Sequence, residues 1–374
     1  MKVPLLDLRA QYGSIREEII GAVMEVLEAQ HFILGPKVTG LEEQVARYSE
    51  AKWGIGVSSG SDALLVSLMA LNVGKGDYVI TTPYTFFATA GAVARLGATP
   101  AFADIDPRTY NIDPDKIADA AKKIPKGRLK AIIPVHLYGQ CCDTDAVMDI
   151  AREHGAAVVE DAAQAIGARD GKGRPAGSVG DAGCFSFFPS KNLGALGDGG
   201  MVVTSSDYMK EKLTILRAHG SSPKYFHKVI GGNFRLDAIQ AAALSVKLKH
   251  LDLWSEKRRE NANLYNMLIA DTDVPVKTPY IEKGCRHIFN QYVVRAKDRD
   301  RLMVFLKEKG VDTEVYYPLP MHLQECFGYL GHGQGDFPES EGAAKETLAL
   351  PVYPELSSEA IGYVAERIKE FYAA

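Results

Sequence analysis

No apolar run in the chain approaches the roughly 20 residues that cross a bilayer, so a membrane-spanning helix is not expected. The opening Met1-Lys2-Val3-Pro4 carries no apolar signal segment and passes quickly into an amphipathic pattern, so export is not expected either. Cysteine is sparse. Cys141, Cys142, Cys184, Cys285 and Cys326 form neither a disulfide framework nor a zinc-ligand spacing. A cytoplasmic protein with reduced thiols, no metal and no membrane contact is the expectation. Excess charge is missing too: a formal net charge of −4 gives nucleic acid no overall attraction. The adjacent Lys257-Arg258-Arg259 falls in a helical stretch and reads as a solvated face. There is no internal repeat and no low-complexity tract. No G-x-G-x-x-G turn follows an early strand, which excludes the usual NAD-linked dehydrogenase.

What is present is ordinary in amount and ordered in pattern. With 374 residues, 46% apolar and 24% charged, the chain is long enough for two domains with substantial cores. Ser14-Ile15-Arg16-Glu17 reads as a capping box opening a helix to about Ala29, and Thr39-Gly40-Leu41-Glu42 opens another. Short apolar strands are then predicted at 54–58, 78–82, 99–104, 131–136, 156–160, 183–188 and 200–204, with helices at 62–71, 85–96, 114–123 and 144–154 between them. Such alternation specifies an α/β fold whose mostly parallel sheet is covered by helices on both faces. Residues 235 to about 269 carry almost no breaker and read as one long helix. It bridges a large domain over 1–251 to a smaller C-terminal α/β domain over 252–374, with a strand at 290–295 and helices at 299–309 and 357–372.

Ligands of an open parallel sheet bind beyond the carboxyl ends of its strands. Polar residues gather at those ends here: Ser58 to Asp62, His136, Asp161 with Gln164, and Ser186 to Lys191. Lys191 follows an apolar strand into a turn; it can be a solvated lysine, or a desolvated amine able to form a Schiff base. Asp161 ends an apolar run; it can cap the next helix, or hold a pyridinium nitrogen protonated so that the ring acts as an electron sink. Glu160 beside it points to the opposite face by strand alternation. Ser59-Gly60-Ser61-Asp62 precedes a helix; it supplies either a plain cap by Ser61 or Asp62, or the free N–H groups that bind phosphate. Each element alone is weak, and their combination in this order is specific.

The chain resembles the DegT/DnrJ/StrS-type sugar aminotransferases almost end to end. The matching segments include Ile33-Leu34-Gly35-Pro36, Gly60-Ser61-Asp62-Ala63-Leu64, Pro83-Tyr84-Thr85-Phe86, Pro134-Val135-His136-Leu137-Tyr138-Gly139 and Glu160-Asp161-Ala162-Ala163-Gln164. Phe185-Ser186-Phe187 through Lys191-Asn192, Gly232-Asn233-Phe234-Arg235 and Tyr317-Pro318-Leu319-Pro320-Met321-His322 complete the set. The resemblance implies an aspartate-aminotransferase-like fold, pyridoxal 5'-phosphate as cofactor (pyridoxamine phosphate during the cycle), and a homodimer with shared active sites. It assigns Lys191 as the cofactor-bearing lysine, Asp161 as the ring-nitrogen partner, Gln164 beside the ring oxygen and Phe86 on the ring face. Gly60, Ser61 and Ser186 match the phosphate cradle, and Asn233 matches an asparagine reaching the partner subunit's phosphate. Tyr317 and His322 match sugar-side residues, and the resemblance implies a place near the nucleotide for Arg217. Two departures stand out: Ser61 replaces a common threonine but keeps the hydroxyl, and Cys141-Cys142 replaces a small residue and proline. A metal site from His136 with these cysteines is the competing reading of that departure, and packing the simpler one.

By the same resemblance L-glutamate is the amino donor and a nucleotide-linked keto sugar the acceptor. The openings Pro4-Leu5-Leu6-Asp7-Leu8 and His31-Phe32-Ile33-Leu34-Gly35 look like the branch that aminates C3. The alternatives are amination at C4, an aminodehydroquinate-type dehydratase on the same fold, or a noncatalytic regulator that would have lost Lys191 or Asp161. A cofactor-dependent sugar dehydratase needs histidine in place of Lys191.

Overall fold

The computed structural model describes residues 1–270 and 272–373. Its main sheet has seven strands: β1 (Trp53–Val57), β2 (Tyr78–Thr81), β3 (Thr99–Phe102), β4 (Leu129–Ile133), β5 (Ala157–Asp161), β6 (Ala182–Ser186) and β7 (Gly200–Thr204). They lie in the order β1-β7-β6-β5-β4-β2-β3, and β7 alone runs opposite to the other six. The carboxyl ends of the other strands therefore converge on one edge, which is where the polar residues sit. All seven strands were legible in the sequence, displaced at their ends by at most a few residues.

Alternation along the buried strands sends neighbouring residues to separate cores. Val79, Ala131, Ile133 and Val159 join one cluster, while Ile80, Ile132 and Val158 join another on the opposite face. Helix Gly60–Ala70 packs in the first, and helices Pro114–Lys123 and Thr144–His154 in the second. Each fully buried Val, Ile or Leu of this kind contributes about 1.5–3 kcal/mol, which makes the sheet a rigid platform. A second, antiparallel sheet of three strands, β8 (Val276–Lys277), β9 (Tyr292–Ala296) and β10 (Thr347–Leu350), anchors the C-terminal part, with β9 central. Val3 and Leu6 pack into that C-terminal core, and Val3 bridges Val311. The first residues thus assemble with the last part of the chain.

Three expectations are corrected. The first helix runs Leu8–Ala29, opened by Asp7, whose Oδ1 accepts the N–H of Arg9 and Ala10 at 3.0 Å. Ser14 marks a kink instead of a start: its hydroxyl donates back to the Gln11 carbonyl at 2.8 Å, and Ile15 leaves helical geometry. The second helix begins at Pro36, and Glu42 does not cap it but accepts the N–H of Gly56 at 2.8 Å. The long helix is two helices, Ala238–Leu248 and Leu251–Ala270, broken at Lys249-His250. No glycine or proline marks that break. Leu244 and Leu251 share one buried cluster, and Val246 and Trp254 another, so both helices pack on the same two cores across the break.

Candidate active site

A cavity of about 390 Å³ opens at the carboxyl edge of the main sheet. Gly60, Ser61, Phe86, Asp161, Gln164, Ser186, Lys191 and Tyr317, all singled out in the sequence, line it. They arrive on five separate segments of the chain, so the convergence is the work of the fold.

One end of the cavity is an anion cradle. Ser59, not Ser61 or Asp62, caps helix Gly60–Ala70: its Oγ accepts the Asp62 N–H at 3.0 Å. Asp62 Oδ2 in turn accepts the hydroxyls of Ser58 at 2.6 Å and Ser59 at 3.0 Å. The first N–H groups of a helix have no intrahelical partner, so those of Gly60 and Ser61 remain for a ligand. Close approach requires glycine here. A Cβ on Gly60 would stand 2.5 Å from Ser186 Cβ, and one on Gly200 would stand 2.4 Å from the Ser59 carbonyl oxygen. These two glycines let the helix start settle against the end of β6 and bring Ser61 and Ser186 to one place.

The other end holds a buried carboxylate. Asp161 Oδ2 accepts the Thr89 hydroxyl at 2.8 Å, and Oδ1 accepts the Ala163 N–H at 3.2 Å. Burial raises its pKa above the ordinary carboxyl value, against the lowering pull of those two donors and of Lys191. A cation against Asp161 would restore the charged form, as a protonated ring nitrogen does. Glu160 indeed points to the opposite face. It is fully buried there, accepting from His136 Nε2 at 2.7 Å and from the N–H of Gly177, Val179 and Gly180 at 2.8, 2.8 and 2.7 Å. His136 Nδ1 accepts the Cys142 N–H at 3.1 Å, so the proton sits on Nε2. Both ring nitrogens are spent within the protein, and the His136 and Cys141-Cys142 grouping is packing.

Between the two ends lie the groups that face a reacting atom. Lys191 stands in the turn after β6, its N–H donating to the Phe188 carbonyl at 2.8 Å. Desolvation lowers its pKa from 10.5 to about 8, with Asp161 pulling the other way. A substantial fraction of such an amine is neutral near physiological pH, which is what a nucleophile requires. Gln164 is held at both ends: Oε1 accepts the Tyr138 N–H at 2.7 Å, and Nε2 donates to Tyr317 Oη at 3.1 Å. Burial raises the Tyr317 phenol above its usual range, so it stays protonated. Phe86 is 58% exposed and presents its ring to the cavity, 6.1 Å from that of Tyr317. An exposed phenylalanine at a cavity wall is a platform for a flat ligand.

Three expected residues are not brought to this cavity. Arg217 is buried, and its Nη1 donates to Glu42 and to the Gly56 carbonyl, at 3.1 Å for the latter; it ties helix Pro36–Tyr48 to β1. His322 is buried too, with Nε2 3.1 Å from Glu341 Oε1 and its ring 4.7 Å from that of Phe337. Neither contact is with a residue that lines the cavity. Asn233 is exposed and bridges Ala218. Conversely, Thr89, Asp198 and Gln291 were missed. The i, i+4 spacing of Thr85 and Thr89 was the available signal for the first, since it puts both hydroxyls on one helical face.

The residues present fit pyridoxal phosphate: a phosphate cradle, an aromatic wall, a lysine and a buried carboxylate share one cavity. Fold and site together define a pyridoxal-phosphate transaminase of the aspartate-aminotransferase type, a helix-covered, mostly parallel sheet with its lysine after β6 and its carboxylate at the end of β5. The chain belongs to the DegT/DnrJ/EryC1/StrS aminotransferase family, whose model matches residues 13–369. Pyridoxal 5'-phosphate is the cofactor of that family. A protein named "Pleiotropic regulatory protein" from Geobacillus stearothermophilus is 53% identical over 374 residues, covering 100% of this chain and 99% of that one. UDP-N-acetyl-3-dehydro-alpha-D-glucosamine 3-aminotransferase from Acidithiobacillus ferrooxidans is 43% identical over 367 residues, covering 98% and 97%. The crystal structure of DesV from S. venezuelae, in complex with a ketimine intermediate, superposes with a TM-score of 0.95 at 38% identity, covering 100% of this chain and 99% of that one.

Proposed function

We propose that the protein moves an amino group from L-glutamate to C3 of a nucleotide-linked 3-keto sugar, as a homodimer that shares its active sites. The observation that carries the reading is that one cavity is lined by both Lys191, whose pKa burial lowers to about 8, and the buried carboxylate of Asp161. The choice of a 3-keto sugar rests on the name of the Acidithiobacillus relative and on the Phe32-Ile33-Leu34-Gly35-Pro36 segment.

When bound, pyridoxal phosphate supplies an aldehyde that takes up the amine and a ring that delocalises charge at the reacting carbon. The protein's own residues do the rest. The N–H groups of Gly60 and Ser61 with the hydroxyls of Ser61 and Ser186 hold the phosphate. Asn233 of one subunit reaches the phosphate of the other. Phe86 covers the ring face, and Gln164, fixed by Tyr138 and Tyr317, stands beside the ring oxygen. Asp161, held by Thr89, keeps the ring nitrogen protonated. Lys191 carries the cofactor at rest; once released, its Nζ takes a proton from one carbon and returns it to another, a general acid–base step needing only hydrogen-bond reach. Tyr317 orients the sugar. Only the carbonyl carbon held within reach of Lys191 is aminated, so turning the sugar by one carbon changes the product.

The name of the Geobacillus relative supports a second reading, a regulator on the same scaffold. A scaffold freed from chemistry needs neither Lys191 nor Asp161, and both line the cavity here. One experiment addresses both: supply matched 3-keto and 4-keto nucleotide sugars with L-glutamate and locate the new nitrogen by NMR. Amination at C3 is expected. Amination at C4 alone overturns the regiochemistry, and none with any keto sugar favours the regulator.

A further inference from the structure

Arg258 was expected on a solvated helix face, yet it is 3% exposed. Its Nη1 donates to the carbonyls of Val352, Phe289 and Asn290 at 2.6, 3.3 and 3.5 Å. Nε and Nη2 have no hydrogen-bond partner, and no carboxylate lies within ion-pair distance, among the described residues. Burial lowers its pKa to about 10, so the guanidinium stays charged at neutral pH. Glu355 lies near enough to favour the charge but outside ion-pair distance, so the buried guanidinium has no direct counter-ion.

Arg258 lines an annex of about 80 Å³ that shares Ser190, Gln291 and Tyr316 with the main cavity. Its other walls include Leu5, Asn290 and Val352. A water molecule occupies about 30 Å³ of liquid, so the annex has room for a carboxylate and a methylene but none for a sugar ring. Its mouth lies at Ser190, the residue before Lys191. We propose that this annex is the donor subsite and that Arg258 binds the distal carboxylate of a dicarboxylic amino donor. The proposal rests on the transaminase reading and names the recognition residue for L-glutamate. It also gives Leu5 and Leu6 a role, as apolar walls of the subsite.

The test compares glutarate with pentanoate, the same carbon chain lacking one carboxylate, by calorimetry on the holoenzyme. Glutarate is expected to bind at least about tenfold more tightly, the scale of one charge-assisted contact. Arg258→Gln should abolish that preference and raise KM for L-glutamate by about tenfold or more, leaving KM for the keto sugar within about twofold. Leu5→Trp, which fills the annex without touching the Arg258 carbonyl bonds, should do the same and serves if Arg258→Gln fails to fold. Equal binding of the two acids by the native enzyme overturns the proposal, as does a preference that survives both variants or a proportional rise in both KM values. If the native holoenzyme forms no pyridoxamine phosphate from any amino acid, the transaminase reading itself has failed, which is a distinguishable result.

Discussion

The Thr89 hydroxyl donates a 2.8 Å hydrogen bond to Asp161 Oδ2, and both residues are buried. Thr85 Oγ1 lies 3.1 Å behind, so the carboxylate is backed by a short line of hydroxyls from one helix end. A neutral donor to a charged acceptor contributes about 1.5–3 kcal/mol. Thr89→Val keeps the shape and removes the donor. Without it the Asp161 pKa, already raised by burial, rises further. The acidic limb of the pH–rate profile should therefore move to higher pH, with about a ten- to hundredfold loss at neutral pH. An unmoved limb would show that Thr89 only packs.

Asp161→Asn removes the charge and keeps the volume. Proton removal from the donor should slow by about a hundredfold or more, while covalent capture of the cofactor by Lys191 continues. Stopped-flow absorbance separates the two steps. Near-normal amine transfer in the variant would show that another group holds the ring nitrogen.

Burial also sets when Lys191 becomes reactive. Only the neutral amine attacks an aldehyde, and its pKa is lowered to about 8. The rate at which apoprotein captures added pyridoxal phosphate should rise with pH, reach half its maximum near pH 8 and then level off. A rate that climbs steadily towards pH 10.5, the ordinary lysine value, would show a solvated Lys191.

The main sheet was legible because its strands are short apolar runs bounded by turns, and the period of the pattern is set locally. Lys191, Asp161 and the Gly60-Ser61 turn were legible for the same reason: each sits just past such a strand. The break at Lys249-His250 was not, because no glycine or proline marks it and the apolar residues on either side belong to the same buried clusters. Strand β8, with two residues, is too short to carry a period. His322 and Arg217 had no local signal at all. Their expected roles came from resemblance, and their actual partners, Glu341 and Glu42, are 19 and 175 residues away in the chain. Arg258 was misread because a run of basic residues on a helix usually faces water, and only tertiary contacts reveal the exception.

Asn233 is exposed and outside the cavity of its own chain. If it completes the partner subunit's phosphate site, Lys191→Ala and Asn233→Ala should each be impaired alone and recover activity when mixed. A mixed dimer assembles one intact site from the two unaltered contributions, so recovery should approach about a quarter of native activity at random exchange. Mixed dimers that form, as native mass spectrometry would show, and remain inactive would mean that each site lies within one subunit.

The most direct measurement is borohydride reduction of the purified holoenzyme followed by peptide mapping. Pyridoxyl label should be found on Lys191, in the peptide that continues from Phe188-Pro189-Ser190, and Lys191→Ala should carry none. Label on a different lysine, or no label on a protein shown to bind the cofactor, would contradict the assignment of this cavity as a transaminase site.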